Sequence, residues 1–295
     1  MTLQGWKLGW IGVGRMGTPL CRRLLEAGAD LAATDPDQGR LAALAPEGLR
    51  AMPGVGALAA EGDVLLSMVP DDAALLAVAG ELASALRPGQ AWIDLSTVSP
   101  AASARVAAMV AGSGAGYLRC PVSGSTATAA AGALTIFASG PEATLDRCAP
   151  VLAVLGKEVL RCGPAEEARA VKLMVNLVVA LTPVLIGEAM GFGERLGLGR
   201  EAMVEALSRS VVASPLLAYK AAMLTARDWT PAADLDLIAK DLDLALAVGQ
   251  REGAPLPLAA LARQFAAAFQ GSGEGGLDFF RLATWPERML APNPR

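Results

Sequence analysis

The 295-residue sequence predicts an α/β fold, with a mainly parallel sheet in its first half and an all-helical second domain. The first half alternates short apolar strands with helix-like segments, for example "DVLLSMVP" followed by "DDAALLAVAGELASAL". Such alternation is typical of a parallel sheet that helices cover on both faces. After "LGKEVLRCGP" the strand-like alternation ends, and long stretches of Ala, Leu and Val have helical spacing. These observations predict two domains, residues 1–163 and residues 164–295.

The composition excludes several classes of function. The net charge is −4 without a basic cluster, which argues against nucleic acid as a partner. No histidine is present, and the four cysteines lack CxxC spacing. These absences argue against a zinc site and exclude histidine as a catalytic base, so no metal is expected. No signal peptide is recognisable at the N-terminus, so a reducing, cytoplasmic setting is expected.

The first strand leads into a glycine-rich turn, "IGVGRMG", with the spacing GxGxxG. In a Rossmann-type turn the first glycine permits the tight turn, the second lets the backbone approach a pyrophosphate, and the third lets helix pack on strand. The spacing alone also fits a flexible turn or an S-adenosylmethionine loop. Its position between a strand and a helix favours a dinucleotide, with the phosphates at the helix N-terminus. The predicted contacts are Gly12, Val13, Gly14, Arg15, Met16 and Gly17.

An acidic residue ends the second predicted strand, Asp30 to Thr34. This residue, Asp35, is placed to accept hydrogen bonds from both ribose hydroxyls and to repel a 2′-phosphate. The nearest following arginine is Arg40, more than four residues away. The sequence therefore predicts NAD as the cofactor, with NADP less favoured.

Further candidate cofactor contacts follow the next predicted strands. Ligands of an open parallel sheet bind beyond the carboxyl ends of its strands, which places Val69, Pro70, Ser96 and Thr97 along the cofactor. The segment "LSTVSP" can also be interpreted simply as a helix N-cap. Local sequence leaves both interpretations open.

The segment "AVKLMVNLVVALTPVLIG" contains a single charged residue, Lys172. A membrane span needs about 20 apolar residues, and polar residues and a proline interrupt this segment, so a buried helix with one solvated end fits better and no membrane contact is expected. Asn176 follows Lys172 by four positions, so the two share one helix face. Taken alone, Lys172 could merely extend its ammonium from a buried helix to water.

Four blocks of the sequence together resemble the β-hydroxyacid dehydrogenase family, which contains 3-hydroxyisobutyrate dehydrogenase and tartronate semialdehyde reductase. The blocks are "WIGVGRMGTPL", "IDLSTVSP", "CPVSGS" with "AGALTI", and "KLMVN" with the later "AKDLDLA". The resemblance covers nearly the whole chain, and it implies a helical second domain similar to that of 6-phosphogluconate dehydrogenase. It also implies an oxidoreductase that acts on a small β-hydroxyacid or the matching semialdehyde, and a homodimer or homotetramer.

The resemblance assigns roles to individual residues. It implies that Lys172 is the general acid/base with Asn176 as its partner, that Thr97 approaches the nicotinamide, and that Lys240 reaches the cofactor. The chemistry agrees, since hydride transfer at a carbinol carbon needs a proton moved at the oxygen and an ammonium can move it. Apolar surroundings are expected to bring the pKa of Lys172 toward working pH. The anionic substrate's carboxylate is assigned to Ser123, Gly124 and Ser125, a segment that on spacing alone fits an ordinary turn.

Some positions depart from the family pattern, and they put the identity of the substrate in doubt. Arg119 on a strand can point to solvent, or it can add a second cation to the cleft and favour a doubly anionic substrate. Two rival functions stay open. One is imine reduction on the same fold, although enzymes of that kind generally lack the lysine. The other is a catalytically inactive NAD-binding protein used in assembly or sensing. The departures are Arg119, Cys120, Ser125, Glu166, Ala168 and Val175.

Overall fold

The computed structural model describes residues 2–289, and it confirms the predicted α/β fold with an N-terminal sheet and an all-helical C-terminal part. The chain divides into two compact units, Met1–Lys172 and Leu173–Arg295. The sequence also predicts a Pro-rich arm at the C-terminus. Residues 290–295 of that segment lie outside the described residues.

All strands found in the described residues precede the long helix that contains Lys172. They are β1 (Lys7–Ile11), β2 (Asp30–Thr34), β3 (Arg50–Ala51), β4 (Val64–Ser67), β5 (Ala91–Asp94), β6 (Gly116–Arg119), β7 (Val122–Ser123), β8 (Leu134–Ser139) and β9 (Gly156–Gly163). The order along the sheet is β3-β2-β1-β4-β5-β6-β8-β7, with β9 paired to β8. The pairs from β3 to β6 are parallel, whereas β8 runs antiparallel to β6 and β7. The carboxyl ends of β1, β2, β4 and β5 therefore share one edge.

Helices cover both faces of this sheet. They are α1 (Gly17–Glu26), α2 (Gln38–Leu44), α3 (Val55–Glu61), α4 (Asp72–Ala85), α5 (Pro100–Ala111), α6 (Thr126–Ala130) and α7 (Glu142–Leu155). Successive strand residues enter two separate cores: Ile93 packs with residues of α1 and α7, and its neighbour Trp92 packs with residues of α3 to α5. This alternation is what a sheet buried on both faces requires.

The second unit is built from helices around one apolar core. They are α8 (Glu167–Arg195), α9 (Arg200–Arg209), α10 (Pro215–Ala226), α11 (Leu235–Glu252), α12 (Pro257–Gly271) and α13 (Trp285–Met289), with a 3₁₀ turn at Phe279–Thr284. The ring of Trp285 stacks on that of Phe265 at a centroid distance of 4.4 Å. A buried ion pair, Lys220 Nζ to Asp278 Oδ2 at 2.6 Å, fixes the chain before the 3₁₀ turn.

Among residues 2–289, α8 alone is long and apolar enough to cross a membrane by length and composition. About 44% of its most apolar window is buried inside the protein, and core helices of soluble proteins pass the same test. The exposed apolar side chains of α8, with that of the residue directly after it, form an apolar stripe with spacings of four and seven residues. The apolar stripe consists of Met174, Val178, Leu185, Phe192 and Leu196.

Candidate active site

The glycine-rich turn has the geometry that its sequence predicts. Gly12 has φ +92°, and a side chain there would overlap the carbonyl of Met68 beyond β4. A side chain at Gly17, the first residue of α1, would overlap the carbonyl of Gly12. At Gly14 an added Cβ would meet only the Arg40 guanidinium, at 3.9 Å. The turn is thus packed closely at the first and third glycines and open at the second, where a pyrophosphate would approach.

The other predicted residues of the turn differ in exposure. Val13 is part of the core, Met16 is the partly buried N-cap of α1, and Arg15 is exposed.

Asp35 lies directly after β2, and both of its carboxylate oxygens accept backbone hydrogen bonds. Oδ2 accepts from the Val13 N–H at 2.7 Å, and Oδ1 accepts from the Asp37 N–H at 2.8 Å. The carboxylate therefore ties the glycine-rich turn to the end of β2. Arg40, one turn into α2, has its guanidinium 3.7 Å from Asp35 Oδ1 and 3.3 Å from Asp37 Oδ2. Arg40 therefore lies close to Asp35 although it is five positions away in the sequence. Because it faces two carboxylates, those of Asp35 and Asp37, the three side chains together keep a net negative charge.

The segments after β4 and β5 are joined by a hydrogen bond. The N–H of Val69 donates to Ser96 Oγ at 2.9 Å, Pro70 beside it is exposed, and Thr97 is half-buried. The N-cap of α5 is Ser99, whose Oγ accepts from the Ala102 N–H at 3.0 Å. The capping interpretation of "LSTVSP" therefore applies to Ser99, whereas Ser96 links the two strand ends.

A buried network lies directly behind these segments. Asp94 Oδ1 accepts from Ser96 Oγ at 2.6 Å and from Ser67 Oγ at 2.7 Å, and Asp94 Oδ2 pairs with the guanidinium of Arg169 on α8. Burial by itself lowers the pKa of Arg169, but Asp94 and Tyr117 raise it above its ordinary value. Burial and the charge of Asp94 raise the pKa of Tyr117 to about 12. The arginine and the phenol thus keep their protons at neutral pH.

The predicted carboxylate loop, "CPVSGS" (residues 120–125), follows β6 and includes β7. Ser123 is half-buried and Gly124, with φ +146°, is exposed. Ser125 departs from its predicted role, because its N–H donates to Thr128 Oγ1 at 2.7 Å and its hydroxyl caps α6 in a capping box with Thr128. This local capping pattern occupies the amide that the sequence interpretation offers to a substrate. Ser123 and Gly124 remain the candidates.

Two departures from the family pattern pair with each other. Arg119, the last residue of β6, is buried, and its Nε donates to Glu166 Oε1 at 2.9 Å just before α8 begins. The guanidinium also lies 4.7 Å above the ring of Tyr117. Arg119 is therefore buried and not solvated on the outer face, and Glu166 balances the charge that was considered as a second cation for the cleft.

Lys172 and Asn176 lie one turn apart on α8, and both are buried, with exposures of 9% and 8%. Asn176 Nδ2 donates to Asp241 Oδ2 on α11 at 2.6 Å. Lys240 Nζ lies 3.0 Å from Asp241 Oδ1 and forms an ion pair with it. Sequence reasoning missed Asp241 as the common partner of Asn176 and Lys240, although it stands beside Lys240 in "AKDLDLA".

Comparison with known proteins gives matches over nearly the whole chain. Residues 7–163 match the family model of the NAD-binding domain of 6-phosphogluconate dehydrogenase, and residues 167–285 match the NAD-binding model of NADP-dependent 3-hydroxyisobutyrate dehydrogenase. A 2-(hydroxymethyl)glutarate dehydrogenase from Eubacterium barkeri is 33% identical, over 96% of this chain and 95% of that protein.

Solved structures give a consistent result. A 3-hydroxyisobutyrate dehydrogenase from Mycobacterium tuberculosis with L-serine has a TM-score of 0.89 and 27% identity, covering 99% of this chain and all of that one. An imine reductase from Myxococcus stipitatus with NAD⁺ has a TM-score of 0.64 and 20% identity, covering 95% of this chain and 98% of that one. At that identity the second likeness shows the fold alone.

Proposed function

The chain belongs to the β-hydroxyacid dehydrogenase family of NAD(P)-dependent oxidoreductases, and from this premise we propose that it transfers a hydride between NAD and a small β-hydroxyacid. Lys172 is the general acid/base. Residues 1–163 bind the dinucleotide, and residues 164–295 contribute to substrate closure and oligomerisation. The setting we propose is reducing and cytoplasmic, and the four cysteines are free thiols.

The glycine-rich turn and Asp35 would hold the cofactor. The open position at Gly14 suits a pyrophosphate, and the carboxylate of Asp35 suits a ribose diol. The family resemblance assigns Lys240 as a further cofactor contact. An ion pair with Asp241 restrains Lys240, and the same Asp241 accepts a hydrogen bond from Asn176. NAD supplies or accepts the hydride when it is bound. NAD is preferred over NADP because two carboxylates face a single arginine at this end of the site.

The observation that carries the proposal is the burial of Lys172 beside Asn176 on one face of α8. A titratable group that holds and releases a proton at the substrate oxygen is what hydride transfer at a carbinol carbon requires. An ammonium that is mostly shielded from solvent is suited to that role, because water does not compete for its proton. Asn176, restrained by Asp241, can hold the same oxygen without titrating.

The substrate carries one carboxylate in this proposal. The hydroxyl of Ser123 and the backbone N–H groups at Ser123 and Gly124 are suited to a single anion. Arg119 is neutralised by Glu166 and is not the second cation that a dianion would need. This expectation differs from the name of the Eubacterium barkeri relative, since a glutarate has two carboxylates. The matching semialdehyde is the substrate in the reverse direction.

The two rivals are disfavoured by particular residues. Lys172 is present and buried, whereas imine reductases generally lack this lysine. The chain retains both Lys172 and Asn176, which argues against an inactive NAD-binding protein. The test is NADH formation with a panel of 3-hydroxyisobutyrate, 2-(hydroxymethyl)glutarate, an uncharged alcohol and a cyclic amine. Turnover of the monocarboxylate is expected. Turnover of the amine alone would support the imine reductase, and none at all would support the inactive protein.

A further inference from the structure

The guanidinium of Arg169 is fully buried three residues before Lys172. Besides the ion pair with Asp94, its Nη1 donates to the carbonyl of Ser96 at 2.5 Å, and its Nε and Nη2 lie 3.3 Å from Ser103 Oγ and Tyr117 Oη. Every nitrogen of the group therefore has a partner. These partners lie on or after β5, on α5 and on β6, so Arg169 fastens the start of α8 to the sheet.

The same network reaches the residues assigned to the cofactor. Asp94 accepts from Ser96 Oγ, and Ser96 Oγ in turn accepts from the Val69 N–H. Arg169 holds the carbonyl of Ser96, directly before Thr97. One short path thus runs from Val69 and Thr97 through Ser96 and Asp94 to Arg169, and then one helical turn along α8 to Lys172. All of these residues belong to the unit Met1–Lys172.

We propose that Arg169, Asp94 and Ser96 are positioning residues that set the lysine helix in register with the nicotinamide side of the cofactor site. The inference rests on the proposed function. Hydride and proton must arrive at adjacent atoms of the substrate, the carbon and its oxygen, and misplacement by about 1 Å can cost 10²-fold in rate. A network that holds Thr97 and Lys172 together meets this demand, although neither Arg169 nor Asp94 touches a reacting atom.

Stability alone does not explain the choice of residues. A buried ion pair can often be replaced by well-packed apolar side chains without loss of stability. What apolar side chains cannot supply is the directed hydrogen bond to the Ser96 carbonyl and the acceptor for Ser96 Oγ. A lysine at position 169 would keep the charge but not the planar fork that reaches both Asp94 and Ser96.

The experiment compares two ligands that share the ADP-ribose part of the cofactor, of which only one carries the nicotinamide ring. Binding of NADH and of ADP-ribose is measured by calorimetry on the full chain, for the wild type, Arg169→Lys and the milder Ser96→Ala. We expect NADH to bind about fivefold or more weakly in both variants, while ADP-ribose binding stays within about twofold. We also expect kcat to fall by about tenfold or more, with the larger loss in Arg169→Lys.

A matched control removes another buried ion pair. Asp278→Asn unpairs Lys220 in the second unit, and it is expected to lower Tm without changing the ratio of the NADH and ADP-ribose affinities. The inference is overturned if Arg169→Lys and Ser96→Ala weaken the binding of NADH and of ADP-ribose by the same factor. It is also overturned if they lower Tm and leave NADH binding and kcat intact. If the wild type binds NADH and ADP-ribose but turns over no hydroxyacid, the proposed function fails, and the affinity ratio still tests the inference.

Discussion

Arg119 and Glu166 occupy two positions that depart from the family pattern, and they form one ion pair, Nε to Oε1 at 2.9 Å. The residues lie 47 positions apart in the chain, one at the end of β6 and the other just before α8. Each departure would be unfavourable alone, because it would leave a charge in a mostly buried place without a partner. Together they are neutral. The pair connects the end of β6, where the carboxylate loop begins, to the start of the lysine helix.

The first prediction tests this coupling. Glu166→Gln leaves the buried guanidinium of Arg119 without its counter-charge, so we expect the free energy of unfolding to fall by about 1–3 kcal/mol. The double variant Arg119→Met with Glu166→Gln should recover part of that loss, because no unpaired charge remains. Urea unfolding of the two single variants and the double variant gives the coupling energy. Additive losses would show that the two side chains do not act as a pair.

The second prediction concerns the cofactor. NAD is expected to bind at least tenfold more tightly than NADP, about 1.4 kcal/mol, because Asp35 and Asp37 outweigh Arg40 where a 2′-phosphate would lie. Asp35→Asn should narrow this preference, since Arg40 then faces one carboxylate instead of two. Fluorescence titration with NADH and NADPH measures the cofactor preference of the wild type and of the variant. Equal or tighter binding of NADPH to the wild type would refute the assignment.

A third prediction separates two neighbouring serines. Ser123→Ala removes a hydroxyl assigned to the substrate carboxylate, so KM for acids should rise by the equivalent of about 1.5–3 kcal/mol. Ser125→Ala is the matched control, because that hydroxyl caps α6. It should lower stability by about 1 kcal/mol and leave KM unchanged. The loop assignment fails if Ser123→Ala has no effect on KM, or if uncharged alcohols are the better substrates.

Features that depend on residues close together in the sequence could be predicted, whereas contacts between residues far apart in the sequence could not. The strand, glycine turn and helix around Gly14 are local, as is the spacing of Lys172 and Asn176, and all could be predicted. The capping box of Ser125 is also local and could have been recognised from the serine and threonine three positions apart. The pairing of Arg169 with Asp94, and of Asn176 with Asp241, joins residues 75 and 65 positions apart. Such contacts depend on how the strands and helices pack, and no pattern in the chain specifies them.

The fourth prediction concerns the apolar stripe along α8 and the residue that follows it. Its five side chains are each 60% to 70% exposed, and an exposed apolar face of this kind normally marks an interface. We expect at least a homodimer, which light scattering at micromolar concentration detects. Leu185→Glu with Phe192→Glu should dissociate it, and Leu258→Glu, an exposed leucine outside the stripe, should not. A monomeric wild type would contradict the proposal.

The most direct test of the whole account is the turnover of Lys172→Ala with NAD and the preferred hydroxyacid. Lys157→Ala, which removes an exposed lysine on β9, is the matched control. If Lys172 moves the proton, its removal should lower kcat by about 10²-fold or more, while NAD affinity stays within about twofold and Lys157→Ala retains full activity. Retention of kcat by Lys172→Ala, in a folded protein that still binds NAD, would contradict the account.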